Sequence, residues 1–171
     1  MRLFIAIDLP EHVKEEIAKI QSKLPEFKGK KTEIGNLHLT LKFLGEVDEK
    51  LVEKIKQKLG EIKFKKFEAE ISDLGVFRES FIKIVWIKIE NCLELEKEID
   101  EKLNTLFPEE ERFMGHLTIA RVKFCEREKF LESLKKIKTK KTKFVVDSFR
   151  LKKSDLTHGP IYEDLLEVRL I

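Results

Sequence analysis

The chain has 171 residues and a mass of 20.2 kDa; 42% of the residues are apolar and 39% charged, with 35 Lys and Arg set against 32 Asp and Glu. That length suits a single domain with a sizeable core, and the composition excludes bulk disorder. No apolar run approaches the ~18–20 residues of a membrane span, and Met1–Leu9 carries Asp8 and leads straight into a helix signal, so a cytoplasmic protein without membrane attachment is expected.

Cys92 and Cys125 fall in no C-x-x-C pattern, which argues against a disulfide framework or a zinc knuckle and for two small buried hydrophobes. The 28 Lys and 25 Glu beside only 2 Gln, 3 Asn and 2 Met match the charged, thermolabile-poor bias of thermophile proteins. A net charge of +3 does not establish nucleic-acid binding by itself. The basic clusters at Lys28, Lys30 and Lys31 and at Lys135 to Lys143 read first as solvated faces.

In chain order, Arg2 to Leu9 is a β-branched-rich strand. Pro10 then introduces a helix whose apolar face is Val13, Ile17, Ile20 and Leu24. A polar loop runs through Gly29 and Gly35, and Leu37 to Phe43 alternates, with Leu37, Leu39, Leu41 and Phe43 on one face and His38, Thr40 and Lys42 on the other. Asp48 caps a second helix with a stripe of Leu51, Val52, Ile55 and Leu59, which Gly60 ends, and a strand is expected over roughly Phe64 to Asp73. The order then returns: strand Phe81 to Ile89, helix Leu93 to Leu106, strand His116 to Val122, helix about Glu126 to Ile137, strand Thr142 to Leu151, and a last strand Ile161 to Leu170. The two halves superpose at a near-constant offset, 78 residues between His38 and His116, which reads as an internal duplication, about 1–80 and 81–171, within one domain spanning 1–171. The expected fold class is α+β, bilobal, with two β-α-β-α-β lobes related by a pseudo-twofold axis around a central cleft.

His38-Leu39-Thr40-Leu41 and His116-Leu117-Thr118-Ile119 carry the chemistry. Residues i and i+2 of a strand share a side, so each motif points an imidazole and a hydroxyl into one space. Imidazole titrates near neutral pH, so one ring can accept a proton while the other donates one. Threonine hydroxyls donate hydrogen bonds to non-bridging phosphoryl oxygens without any activated pKa. The set suits in-line displacement at phosphorus with no metal. His12 and His158 lack the partner threonine and read as ordinary side chains.

These motifs, with the opening RLFIAIDLP, the segment NLHLTLKFLGEV from Asn36 to Val47, HLTIARV from His116 to Val122 and GPIYE from Gly159 to Glu163, resemble the two-histidine phosphoesterases, and within them the RNA 2′,3′-cyclic phosphodiesterases of the LigT/ThpR type, also called 2′-5′ RNA ligases. The resemblance spans the whole chain. It implies hydrolysis of an RNA terminal 2′,3′-cyclic phosphate, such as that of a tRNA fragment, to a 2′-phosphate, with reversible 2′-5′ joining of RNA ends as a related activity. It implies His38 as proton donor to the leaving 3′ oxygen, His116 as the base that activates water, and Thr40 and Thr118 as the phosphate-holding hydroxyls.

Arg121 resembles the arginine that follows the second motif, although strict alternation from His116 puts it on the opposite face unless the strand twists, bulges or ends there. Lys42 shares the face of His38 and Thr40 and is a candidate contact to RNA phosphates. Relatives commonly carry proline before the second histidine, where Gly115 here loosens the approach to the strand, and a tryptophan in the loop before the first motif, where Lys31 to Gly35 offers no aromatic. Phe77 in the Leu74 to Ser80 loop is the candidate substitute for base stacking. Walker-type P-loops and nicotinamide fingerprints are absent, so no cofactor and no ATP requirement are inferred, and a monomer is expected. Two alternatives stay open at this stage: a non-catalytic RNA-end or nucleotide-binding module, and a phosphodiesterase acting on a small cyclic nucleotide.

Overall fold

The structure, a computed structural model, describes residues 1–157, 159 and 161–171, so His158 lies outside the described residues. Nine strands and four helices run in the order β1 (Arg2–Asp8), α1 (Glu11–Ser22), β2 (Lys28–Lys31), β3 (His38–Glu46), α2 (Glu49–Gly60), β4 (Phe67–Val76), β5 (Ile84–Glu90), α3 (Leu93–Lys102), β6 (His116–Phe124), α4 (Arg127–Lys135), β7 (Lys143–Val146), β8 (Ser148–Asp155) and β9 (Ile161–Arg169) among the described residues. The fold is α+β, with one antiparallel sheet ordered β3-β1-β8-β9 and a second ordered β2-β6-β5-β4-β7. Asp48 caps α2 as its position suggests, its carboxylate accepting from Lys50 N at 3.0 Å.

Each sheet turns one face to the helices. Leu3, Ile5 and Ile7 of β1 and Leu39 and Leu41 of β3 join Val13, Ile17 and Ile20 of α1 and Val52, Ile55 and Leu59 of α2 in one buried core. That burial, worth ~25 cal/mol per Å² of apolar surface removed from water, fixes which face of β1 and β3 is turned away from the helices.

The two halves of the chain do not map onto the two sheets one to one. β4, from the first half, pairs with β5 and β7 in the second sheet, and β8 and β9, from the second half, complete the first sheet against β1. The expected strand Thr142 to Leu151 is therefore two strands, broken at Asp147, whose carbonyl accepts from Leu170 N at 2.8 Å; β7 stays in one sheet and β8 enters the other. The loop containing Lys28–Lys31 also becomes a strand, β2, paired to the edge of β6 with every residue exposed. Its lack of an apolar alternation hides it in the sequence, since it buries neither face.

The consequential departure from strict alternation occurs in β3 and β6. Along β1–β3 the register passes from Ala6 opposite Thr40 to Ile5 opposite Lys42, leaving Leu41 as an extra residue. Along β5–β6 it passes from Trp86 opposite Thr118 to Val85 opposite Ala120, leaving Ile119 as an extra residue. Each is a β-bulge, and beyond it the faces exchange. Lys42 is thereby moved off the face of His38 and Thr40, opposite to the sequence expectation. It is 4% exposed, ion-paired to Asp100 of α3, and donates to the Pro108 carbonyl at 2.8 Å.

A buried pair broken on one side leaves an uncompensated charge, so Lys42→Ala is expected to destabilise the protein by ~3–5 kcal/mol. Lys42→Met with Asp100→Leu should regain most of that loss in urea unfolding, and equal destabilisation by the single and double variants would contradict the buried pair.

Candidate active site

The cleft face of the first sheet is set by cross-strand pairing. His38 lies opposite Asp8, and Thr40 opposite Ala6, whose small side chain leaves room beside the hydroxyl. Phe4 stacks on the His38 ring at 4.9 Å between centroids, and Tyr162 of β9 meets the same ring edge-on at 4.9 Å. Behind them Lys152 of β8, 7% exposed, donates to Asp164 at 2.7 Å and lies 2.9 Å from Asp8 Oδ1, while Arg150 joins Asp8, Asp164 and Glu167. Burial among the aromatic rings lowers the pKa of His38 to about 4. That net value already includes Lys152, which lowers it as well, and Asp8, a hydrogen bond to the Asn36 backbone and Asp164, which act in the opposite direction.

The second sheet repeats the arrangement with different surroundings. His116 pairs with Lys88, and Thr118 with Trp86. The His116 Nδ1–H donates to the Met114 carbonyl at 2.8 Å, which leaves Nε2 as the nitrogen able to take a proton. Phe77 meets the His116 ring edge-on at 5.1 Å and touches Trp86 at 5.7 Å. The candidate stacking residue thus stands at the second histidine. The indole of Trp86 lies across Gly75, where a Cβ would sit 2.6 Å from the ring.

Arg121 is where the second bulge matters. Paired with Ile84, it stands on the same face as Trp86 and Thr118 and is exposed, so the bulge returns it to the cleft side that strict alternation denied it. Lys30 of β2 lies opposite Arg121 across the other edge of β6. Two supports, the buried Gln21 and the half-buried Thr32, escaped the sequence reading. The Gln21 amide donates to the carbonyls of Ile119 and Thr32 at 3.0 and 2.9 Å, and the Thr32 hydroxyl donates to the Thr118 carbonyl at 2.8 Å, so the bulge and the motif strand are held from α1 and the chain after β2. A buried glutamine on an otherwise apolar helix face was the one available signal. Gly115 does not loosen the approach to β6: a Cβ there would lie 2.7 Å from the Ile89 carbonyl oxygen, and Ile89 N donates to Gly115 O at 2.8 Å. Among the described residues no three His, Cys, Asp or Glu side chains gather as a metal-ligand set.

Two antiparallel sheets, each carrying a histidine and a threonine two residues apart on one face of one strand (β3 at the edge of the first sheet, β6 inside the second), define a two-histidine phosphoesterase. The LigT like Phosphoesterase family model matches residues 7–86 and 88–162, and the chain belongs to that family. Relatives named RNA 2′,3′-cyclic phosphodiesterase include one from Methanocaldococcus jannaschii, 44% identical with 98% of this chain and 99% of the relative covered. Another, from Archaeoglobus fulgidus, is 36% identical over 96% of this chain and 98% of its own. Among solved structures, Escherichia coli LigT complexed with 3′-AMP superposes with a TM-score of 0.78 at 25% identity, covering 99% of this chain and 96% of that one.

The depressed pKa of His38 has a sign that can be checked in stability. The unfolded ring binds a proton near pH 6.5 and the folded one near 4, so the folded state loses up to ~3 kcal/mol from this group as pH falls from 6.5 to 4. His38→Gln should flatten the stability profile between pH 5 and 6.5, read by urea unfolding at each pH; an unchanged slope would contradict the burial of this ring. Gly115→Ala should lower both stability in urea unfolding and activity, since the new Cβ would push the start of β6, and with it His116, away from the Ile89 carbonyl; unchanged stability and activity would contradict the close approach.

Proposed function

We propose that this protein hydrolyses the 2′,3′-cyclic phosphodiester at RNA ends to a 2′-phosphomonoester, with His38 and His116 as the acid–base pair. The observation that supports the reading is that two His-x-Thr strands, one in each sheet, each set a hydroxyl two residues from an imidazole on one strand face. The names of the relatives supply the substrate class, and the 3′-AMP complex of E. coli LigT supports a nucleotide-sized ligand.

In this reading Thr40, Thr118 and Arg121 hold the non-bridging phosphoryl oxygens. His116 Nε2 takes a proton from water as the water oxygen bonds to phosphorus. The P–O3′ bond breaks in line with that attack, and His38 gives its proton to O3′, leaving a 3′ hydroxyl and a 2′-phosphate. His116 suits the base because its Nδ1–H is committed to Met114. His38 is neutral at pH 7 in the unliganded protein, and the charge of the bound phosphodiester favours its protonated form; an opposite charge at ~4–6 Å moves a pKa by about 1–3 pH units. One copy of the chain supplies both rings, consistent with a monomer, and action on RNA fragments in the cytoplasm is the setting proposed.

His38→Ala and His116→Ala should each lower turnover of an RNA ending in a 2′,3′-cyclic phosphate by ~10²–10⁴-fold with the fold intact by circular dichroism, and hydrolysis should proceed undiminished in EDTA. Persistent turnover in both variants would overturn the two-histidine mechanism, and loss of activity on chelation would point to a metallohydrolase. Lys152→Met should move the basic limb of the pH–kcat profile upward by roughly one pH unit, because it removes a cation that disfavours protonated His38. Arg121→Ala should raise KM roughly tenfold or more.

A further inference from the structure

Two carbonyls of β6 accept hydrogen bonds from groups that belong to no strand, and they are those of Thr118, the motif threonine, and Ile119, the extra residue that follows it. The Ile119 carbonyl accepts from the Gln21 side-chain amide at 3.0 Å and from Thr32 N at 3.0 Å. The same amide donates to the Thr32 carbonyl at 2.9 Å, and the Thr32 hydroxyl donates to the Thr118 carbonyl at 2.8 Å. Gln21 and Thr32 are thus joined to each other as well as to the bulge.

Gln21 stands in the last turn of α1, 6% exposed, on the face that buries Val13, Ile17 and Ile20. A leucine or methionine would fill that volume without the cost of taking an amide out of water. The amide has two N–H donors, and both are directed at this one corner of β6. The burial of Ala120 and Val122 sets the face that Arg121 takes. The peptide planes of Thr118 and Ile119 are oriented by their carbonyl bonds to Thr32 and Gln21, and those planes carry the spacing between the Thr118 hydroxyl and the Arg121 guanidinium.

We propose that Gln21 is a positioning residue for the phosphodiester: together with Thr32 it fixes the bulge at Ile119, and through it the spacing of the Thr118 hydroxyl and the Arg121 guanidinium, which hold the non-bridging oxygens from β6. This rests on the roles proposed above for Thr118 and Arg121. Gln21 itself touches no reacting atom. Its effect falls on the hold on the phosphoryl group and leaves the proton transfers of His38 and His116 alone, and it requires both Thr118 and Arg121, because a spacing matters only while both groups are present.

The test is a double-mutant cycle between Gln21→Met, which keeps the side-chain length and removes both donors, and Arg121→Ala, with an RNA ending in a 2′,3′-cyclic phosphate as substrate. Gln21→Met is expected to raise KM about threefold to tenfold in the wild-type background, with the limbs of the pH–kcat profile in place, and to change KM by less than about twofold when Arg121 is already alanine. An unchanged KM, or the same factor in both backgrounds, would overturn the positioning role and leave Gln21 to stability alone, which urea unfolding reads separately. Should Gln21→Met not fold, Thr32 asks the same question: Thr32→Val should raise KM and Thr32→Ser, which keeps the hydroxyl, should not, and equal KM for the two would overturn the proposal. The Kd of adenosine 2′-phosphate, read by titration calorimetry, needs no turnover and is expected to follow KM through the series. A Kd that responds to Gln21→Met in a protein without hydrolysis upholds the positioning and strikes the catalytic reading. Hydrolysis by wild type with KM and Kd indifferent to Gln21→Met strikes the positioning alone.

Discussion

The site depends on one extra residue in each of its two motif strands, β3 and β6. A strand that kept strict alternation would carry the face of His38 and Thr40 on to Lys42, and the face of His116 and Thr118 away from Arg121. The bulges at Leu41 and Ile119 reverse both outcomes. Lys42 turns into the interior, where it ties β3 to α3 through Asp100, and Arg121 turns onto the cleft side. The same local defect thus assigns one cation to the interior and leaves the other exposed on the face of Thr118. It is held in β6 by the buried Gln21 amide on the Ile119 carbonyl, a hydrogen bond that would be costly to leave unmade.

Related scaffolds need not give equal rings. His38 sits against Phe4 and Tyr162 with Lys152 behind it, and burial there lowers its pKa to about 4. His116 is oriented through Nδ1 by a main-chain carbonyl and has Phe77 at its edge. The position matching Arg121 in the first strand is Phe43, 70% exposed beside Phe4. The surroundings of His38 thus hold Phe4, Tyr162 and Phe43 with Lys152 and Arg150 in ion pairs, and those of His116 hold Phe77 and Trp86 with Arg121 exposed further along β6.

The period of two made the His-x-Thr pairs legible from sequence, because the faces of a half-buried strand follow from its apolar residues, and the helices were legible through their stripes. The expectations for Lys42 and Arg121 turned on a single backbone irregularity that no side-chain pattern announces. Strand exchange between the halves was equally hidden: Thr142 to Leu151 reads as one apolar-rich run, and only pairing with β4 and then with β1 divides it at Asp147. The aromatic rings around His38 come from β1 and β9, at opposite ends of the chain, and the supports of β6 come from α1 and the segment after β2, so neither set leaves a local signature.

The central claim is that both imidazoles face one phosphoryl group while sitting in different surroundings. It is tested most directly by following the ¹⁵N resonances of His38 and His116 through a pH titration, with and without a nucleoside 2′-phosphate. The account predicts a neutral His38 down to about pH 4 in the free protein, a proton on Nδ1 of neutral His116, and displacement of both rings' signals by the same ligand, with His38 taking up a proton at higher pH when it is bound. A ligand that perturbs only one ring, or a His38 that titrates near its ordinary value in the free protein, would contradict it.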